Sequence, residues 1–134
     1  MENQNPPRVL DVGQCDMDHG SIAGMLRREF GAAVDRAHTA DEALAAMRQA
    51  RHDLVLVNRI FDRDGAEGLG LVRRIKSDEA SARVTIMLVS NYEDAQEAAV
   101  AAGAVRGFGK AAVNAAETID LLAGHLPRGQ RSQV

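Results

Sequence analysis

Short apolar runs alternate with amphipathic stretches along the chain. Arg8-Val9-Leu10-Asp11-Val12 is β-branched and stops at Gly13, which predicts a strand. After a polar loop, Ile22, Met25, Leu26 and Phe30 recur at helical spacing, and Gly31 ends that helix. Ala33–Ala37 is a second, less apolar strand candidate. Thr39 and Glu42 stand at capping-box spacing and open a helix through Leu44 and Met47 to about Ala50. Leu54-Val55-Leu56-Val57 and Val84 to Val89 are continuous apolar runs, the pattern of strands covered on both faces. They end at Asn58 and Ser90. Leu69, Val72 and Ile75 mark a helix between them. Asn91 is placed to cap a helix from Glu93 to Ala102, which Gly103 closes. Val105–Phe108 is a short last strand. Asn114 and Glu117 form a second candidate capping box, before a helix carrying Ile119, Leu121, Leu122 and Leu126.

Strand and helix thus alternate five times. That order predicts an α/β fold, a doubly wound five-stranded parallel sheet with helices on both faces, a three-layer (βα)5 sandwich. At 134 residues the chain has room for one domain, read here as residues 8–126 between polar tails at 1–7 and 127–134. In open parallel sheets, sites form at the carboxyl ends of the strands. This singles out Gly13, Gln14, Asn58, Ser90 and Lys110.

Composition narrows the function classes. Aromatics are 3% of the chain, so the core must be aliphatic. The net charge of -3 is interspersed, and no basic patch for nucleic acid or membrane stands out. No apolar run approaches the roughly 20 residues of a membrane span, and residues 1–7 lack a signal-peptide core. With Cys15 as the only cysteine, no intrachain disulfide can form, and a cytoplasmic location is expected. Lysine occurs only at positions 76 and 110, which draws attention to Lys110.

Five strand–helix units with a hydroxyl after the fourth strand and a lysine after the fifth resemble the receiver domains of bacterial response regulators, of the chemotaxis-type single-domain kind. The cadence of Arg8-Val9-Leu10, Asp53 to Val57, Leu71 to Lys76, Ile86 to Ser90 and Ala101 to Ala104 carries the resemblance over about Arg8 to Leu126. It implies a site where an aspartate ending the third strand accepts a phosphoryl group. Two acidic residues ending the first strand and a carbonyl just past the acceptor hold Mg²⁺, and a Ser or Thr and a Lys bind the phosphoryl oxygens. Ser90 and Lys110 match the last two positions. The acceptor position is Asn58, the acidic pair is Gly13 and Gln14, and the carbonyl falls to Ile60. The proline that follows the lysine in the family is Ala111, and the aromatic of the last strand is Gly107, next to Phe108. The loop after Asn58 is about two residues longer than the family's.

These substitutions remove the chemistry. Mg²⁺ needs hard oxygen ligands, usually with one or two carboxylates. Gly13 offers no side chain, and Gln14 and Asn58 offer neutral amides. An amide oxygen, with its electron density delocalised onto nitrogen, does not replace a carboxylate nucleophile. The expectation is a degenerate pseudo-receiver that binds no Mg²⁺, needs no cofactor and is not an enzyme. Lys110 is expected to be held by Asp11, Asn58 or a loop carboxylate such as Asp16, with Arg59 a further cation near the pocket. The Lys110–Ala111 bond is expected to be trans, since a cis non-proline bond costs about 2.5–4 kcal/mol.

Several residues admit two readings. Asp11 is a substitute carboxylate near the pocket or a hydrogen-bonded strand residue. Asp16 and Asp18 are displaced metal ligands or, more commonly for loop aspartates, turn formers. Asp62-Arg63-Asp64-Gly65 with Glu67 has the outline of a calcium loop but lacks the full ligand spacing. Cys15 reads as a small filler and not a reactive thiol. His19, His38, His52 and His125 do not pair at ligand spacing and read as surface residues.

The expected function is a stand-alone pseudo-receiver in two-component or phosphorelay signalling that acts by phosphorylation-independent protein–protein interaction. A histidine kinase or another signalling protein is the expected partner, without nucleic acid or membrane. By resemblance, the fourth helix, fifth strand and fifth helix form the interaction face, also suited to a homodimer, with Tyr92, Gln96, Arg106 and Asn114 on or near it. Two alternatives remain: a receiver phosphorylated at a displaced acceptor, Asp62 or Asp64, and a small-anion-binding regulatory domain.

Overall fold

A computed structural model describes residues 6–127; the two terminal tails, apart from residues 6, 7 and 127, lie outside it. The five strands are β1 (Arg8–Val12), β2 (Ala33–Ala37), β3 (Leu54–Asn58), β4 (Ile86–Val89) and β5 (Val105–Phe108). The five helices are α1 (Asp16–Phe30), α2 (Ala40–Gln49), α3 (Gly68–Ser77), α4 (Glu93–Ala101) and α5 (Ala116–Ala123), with a 3₁₀ turn at Lys110–Ala112. All strands are parallel, in the order β2-β1-β3-β4-β5. The chain therefore winds one way from β1 to β2 and the other way from β3 onward. The switch lies between β1 and β3, whose carboxyl ends carry Gly13 and Asn58.

Strand alternation separates two cores. Val9, Leu54, Leu56, Met87, Val89 and Phe108 face α1 and α5, meeting Ile22, Met25, Leu26, Phe30, Leu122 and Leu126. Leu10, Val12, Val55, Val57, Ile86 and Leu88 face α2, α3 and α4, meeting Ala43, Leu71, Val72, Ile75 and Ala99. A buried aliphatic side chain stabilises by roughly 1.5–3 kcal/mol relative to an exposed one, so these two layers dominate the fold. Asp11 shares the parity of Val9 and so projects, fully buried, toward α1. No helix among the described residues is long and apolar enough to cross a membrane.

The capping box at α2 forms: Thr39 Oγ1 accepts from the Glu42 amide at 3.2 Å, and Glu42 Oε1 accepts from the His38 amide at 2.7 Å. The other two expected caps do not. Asn91 Oδ1 accepts from Ala111 N across the β4–β5 ends, and Ser90 Oγ accepts from Tyr92 N in its place. Asn114 Oδ1 accepts from Arg28 Nη2 at 2.6 Å, and α5 starts after Ala115 without a side-chain cap. Each amide met a longer-range donor, which the local spacing does not reveal. β4 begins at Ile86, two residues later than the apolar run suggests.

Candidate functional site

At the carboxyl end of β3, the Asn58 side chain is nearly fully buried. Its Nδ2 donates to two carbonyl oxygens, Gly13 at 2.9 Å and Ile60 at 2.7 Å. Gly13 O also accepts from the Asp62 amide at 2.9 Å. A single neutral NH₂ group thus ties together the three segments that meet at the switch point. Backbone oxygens that converge without donors repel, and here both protons of the amide are used to join them.

Gly13 has φ +83°, a conformation that favours glycine, and the space beside it is filled. A Cβ at this position would lie 2.3 Å from Cδ1 of Phe61, a ring that is fully buried. Phe61 reaches this place because the loop after Asn58 folds back on itself. Ile60 and Glu67 form an antiparallel bridge, Phe61 N donates to Ala66 O, and Asp64 Oδ1 accepts from Ala66 N. The longer loop therefore makes a tight turn that places an aromatic ring where a side chain at position 13 would otherwise project.

Asn58, Ser90 and Lys110 share one cavity of about 240 Å³ with Arg59, Ile60 and Tyr92. Its lining includes no carboxylate. The Arg59 guanidinium lies 4.9 Å from the centre of the Tyr92 ring, a cation–π contact at the mouth. Lys110 Nζ is paired with Asp18 at 3.0 Å and not with Asp11, Asn58 or Asp16. The expected tether to a carboxylate after β1 exists, and its partner is Asp18, in a segment that forms the first turn of α1 and not a loop. Both ends are about one-third exposed, so the pair contributes at most about 1 kcal/mol. The Lys110–Ala111 bond is trans, as no described peptide bond is cis.

Asp11 and Asp16 stay away from this cavity. Asp16 is exposed and paired with Arg36 at 2.8 Å, which holds its carboxyl below the usual range. Asp11 is buried and bonded to His19 Nδ1 at 2.7 Å. His19 is thereby half-buried, and His52 is not a surface residue but is buried against Asp35 at 2.8 Å. Each meets a carboxylate placed by another element, His19 on Asp11 and His52 on Asp35 beside Arg8, which sequence spacing cannot show. The buried Gln14 amide lies beside Asp11. Among the described residues, no group of three or more His, Cys, Asp or Glu could hold a metal ion, and this includes Asp62, Asp64 and Glu67.

Burial pushes the Asp11 carboxyl up, against the opposing pull of His19, Gln14 and Arg36. The folded protein then holds this proton more tightly than the unfolded chain. The resulting stabilisation is complete below the unfolded value of about 3.9 and is lost as pH rises through the raised folded value. Asp11→Asn removes that titration. Its melting temperature relative to the parent is expected to rise as pH increases across that window, and parallel profiles would contradict the assignment.

On the expected interaction face, Tyr92 and Arg106 are exposed, and Arg106 Nη1 pairs with Glu93 at 2.8 Å. Gln96 is not on that face. It is buried, with Nε2 donating to Leu88 O and Ser90 O and Oε1 accepting from Gly107 N. It spans a register shift between β4 and β5. Gly107 is required there, because a Cβ would lie 2.2 Å from Leu88 O. Phe108, beside it, is locked in the core under α1 and α5. The aromatic position of the last strand thus holds no ring that could swing between core and solvent.

The sheet order and the site at its switch point define a flavodoxin-like α/β domain. Among solved structures with this architecture, response-regulator receivers superpose on the chain. The receiver domain of NtrX from Brucella abortus matches with TM-score 0.73 and 25% identity, over 87% of this chain and 94% of that one. A longer NtrX chain matches with TM-score 0.75 and 24% identity, and this protein spans only 27% of its length. The signal receiver domain of a DNA-binding response regulator from Colwellia psychrerythraea matches with TM-score 0.73 and 20% identity, over 88% of this chain and 96% of that one. A response regulator from Burkholderia pseudomallei, solved with a phosphorylated aspartic acid, calcium ion and citrate, matches with TM-score 0.69 and 22% identity, over 90% and 67%. No protein-family model matches the sequence, and neither does any curated protein. The fold is therefore that of the receiver domains.

Proposed function

We propose that this chain is a pseudo-receiver, a non-enzymatic module of two-component signalling that works by protein–protein interaction without phosphorylation. The observation that carries this reading is the Asn58 amide. Its two N–H groups point at Gly13 O and Ile60 O. In the receivers this chain resembles, the oxygen at the Ile60 position is a metal ligand. A proton donor on that oxygen takes the place of a cation, and Phe61 fills the room an acidic side chain at position 13 would need. The residues present do not fit Mg²⁺: no carboxylate lines the cavity, and Lys110 and Arg59 give it positive charge.

A displaced acceptor at Asp62 or Asp64 has less support. Both are exposed, and Asp64 is engaged in its own turn. An anion site built on Ser90 and Lys110 is also weakened, because Ser90 Oγ serves the Tyr92 amide and Lys110 serves Asp18. The partner is a signalling protein such as a histidine kinase, met in the cytoplasm. The proposed docking face is α4–β5–α5, with Tyr92, Arg106 and Glu93 exposed on it, and a second copy of this chain is another candidate for the same face. Incubation with acetyl phosphate and Mg²⁺ followed by intact-protein mass spectrometry is expected to give no phosphoryl adduct. A stoichiometric adduct would overturn the proposal.

A further inference from the structure

At the opposite end of the sheet, about 13 Å along β3 from Asn58 at roughly 3.3 Å per residue, lies a larger cavity of about 620 Å³. That volume falls in the range of about 300–1,000 Å³ typical of small-molecule sites. Its wall carries three arginines from three segments: Arg48 at the end of α2, Arg51 in the loop before β3, and Arg83 in the loop before β4. None of the three has a hydrogen-bond or ion-pair partner among the described residues. Arg48 lies in the last turn of α2, where a cation offsets the helix dipole. Arg51 and Arg83 lie outside any helix, and that role does not account for them.

The two acidic residues of the wall are engaged elsewhere. Asp53 accepts from the Arg8 amide, and Asp78 accepts from the Ala80 amide. The His52 ring also forms part of the wall. Its side chain is 1% exposed and its Nε2 is bonded to Asp35, but its Nδ1 is buried without a partner in the protein. That nitrogen has almost no accessible surface, so the groups the wall offers to a ligand are the arginines. Leu44, Met47 and Val84 supply an apolar portion of the lining.

We infer that this cavity binds an organic phosphate of nucleotide size, its phosphates held by Arg51 and Arg83 and its ring against the apolar lining. Guanidinium groups suit phosphate because they offer paired N–H donors and a fixed charge. The site is independent of the phosphorylation chemistry and of its loss, since the whole of β3 separates the two.

The test is calorimetric titration of the full chain with ADP, and separately with inorganic tripolyphosphate. Saturable ADP binding is expected, tighter than that of tripolyphosphate. Arg51→Ala with Arg83→Ala is expected to weaken it at least about tenfold, a loss of about 1.4 kcal/mol. Arg63→Ala, in the exposed loop at the other end, is expected to leave it unchanged. All three substituted arginines are exposed, so melting temperatures should stay close to the parent's. Absence of saturable binding, an equal loss in Arg63→Ala, or tripolyphosphate binding as tightly as ADP would each overturn the inference.

Discussion

Asn58→Asp is expected to destabilise the protein by about 3–5 kcal/mol at neutral pH, the scale for a buried charge left without a partner. The substitution is nearly isosteric and would restore the acceptor residue of a receiver. Yet both oxygens of the new carboxylate can only accept, and the one in the place of Nδ2 would face Gly13 O and Ile60 O at the distances now bridged by its N–H groups. Lys110 and Arg59 line the same cavity and soften the cost without removing it. Protonation would give back one donor, so the folded state should bind a proton that the unfolded chain releases. The deficit is therefore expected to shrink as pH falls. Urea denaturation at two pH values measures both effects. Mg²⁺ is expected not to rescue the variant, and recovery of its stability by the ion would show that a metal site survives.

Gly13→Asp is expected to cost about 2–5 kcal/mol, combining backbone strain at positive φ with overpacking. The added Cβ alone would fall 2.3 Å from the Phe61 ring, and all three of the atoms nearest to it belong to that ring. Removing the ring as well should relieve the overlap but not the strain. A double-mutant cycle with Phe61→Ala is thus expected to show favourable coupling, the pair being less damaging than the sum of the two. Additive effects would mean that Phe61 moves aside without cost and is not what closes the site. On the proposed reading, acidic residues at positions 13, 14 and 58 would not by themselves make a phosphorylation site, because the loop after β3 would also have to be rebuilt.

The fold was legible because its signals are local and repeated. Two-face apolar strands such as Leu54–Val57, amphipathic helices and glycine stops occur in an order that admits one layered arrangement. The places of Asn58, Gly13 and Gln14 at the switch point were also legible, since position along the strands fixes which end they occupy. What surrounds them was not. Phe61 reads as part of a turn, and nothing in its neighbours says that the turn folds inward onto Gly13. The partners Asp11–His19 and Lys110–Asp18 join residues whose meeting depends on how α1 lies over the sheet. Gln96 sits on the amphipathic α4 at a position that spacing leaves ambiguous, and only the irregular strand pairing beneath explains why a polar side chain is buried there.

That irregularity has a consequence at the rim of the molecule. β5 is a border strand, and its outer row of peptide groups is a template onto which foreign chains can zip. The shift in pairing at Met87 and Val89, bridged by the Gln96 amide, bends the strand away from the flat geometry such growth requires. Arg106, clamped to Glu93, adds charge along the same margin. The irregular pairing and the charge together make this margin a poor template for such growth.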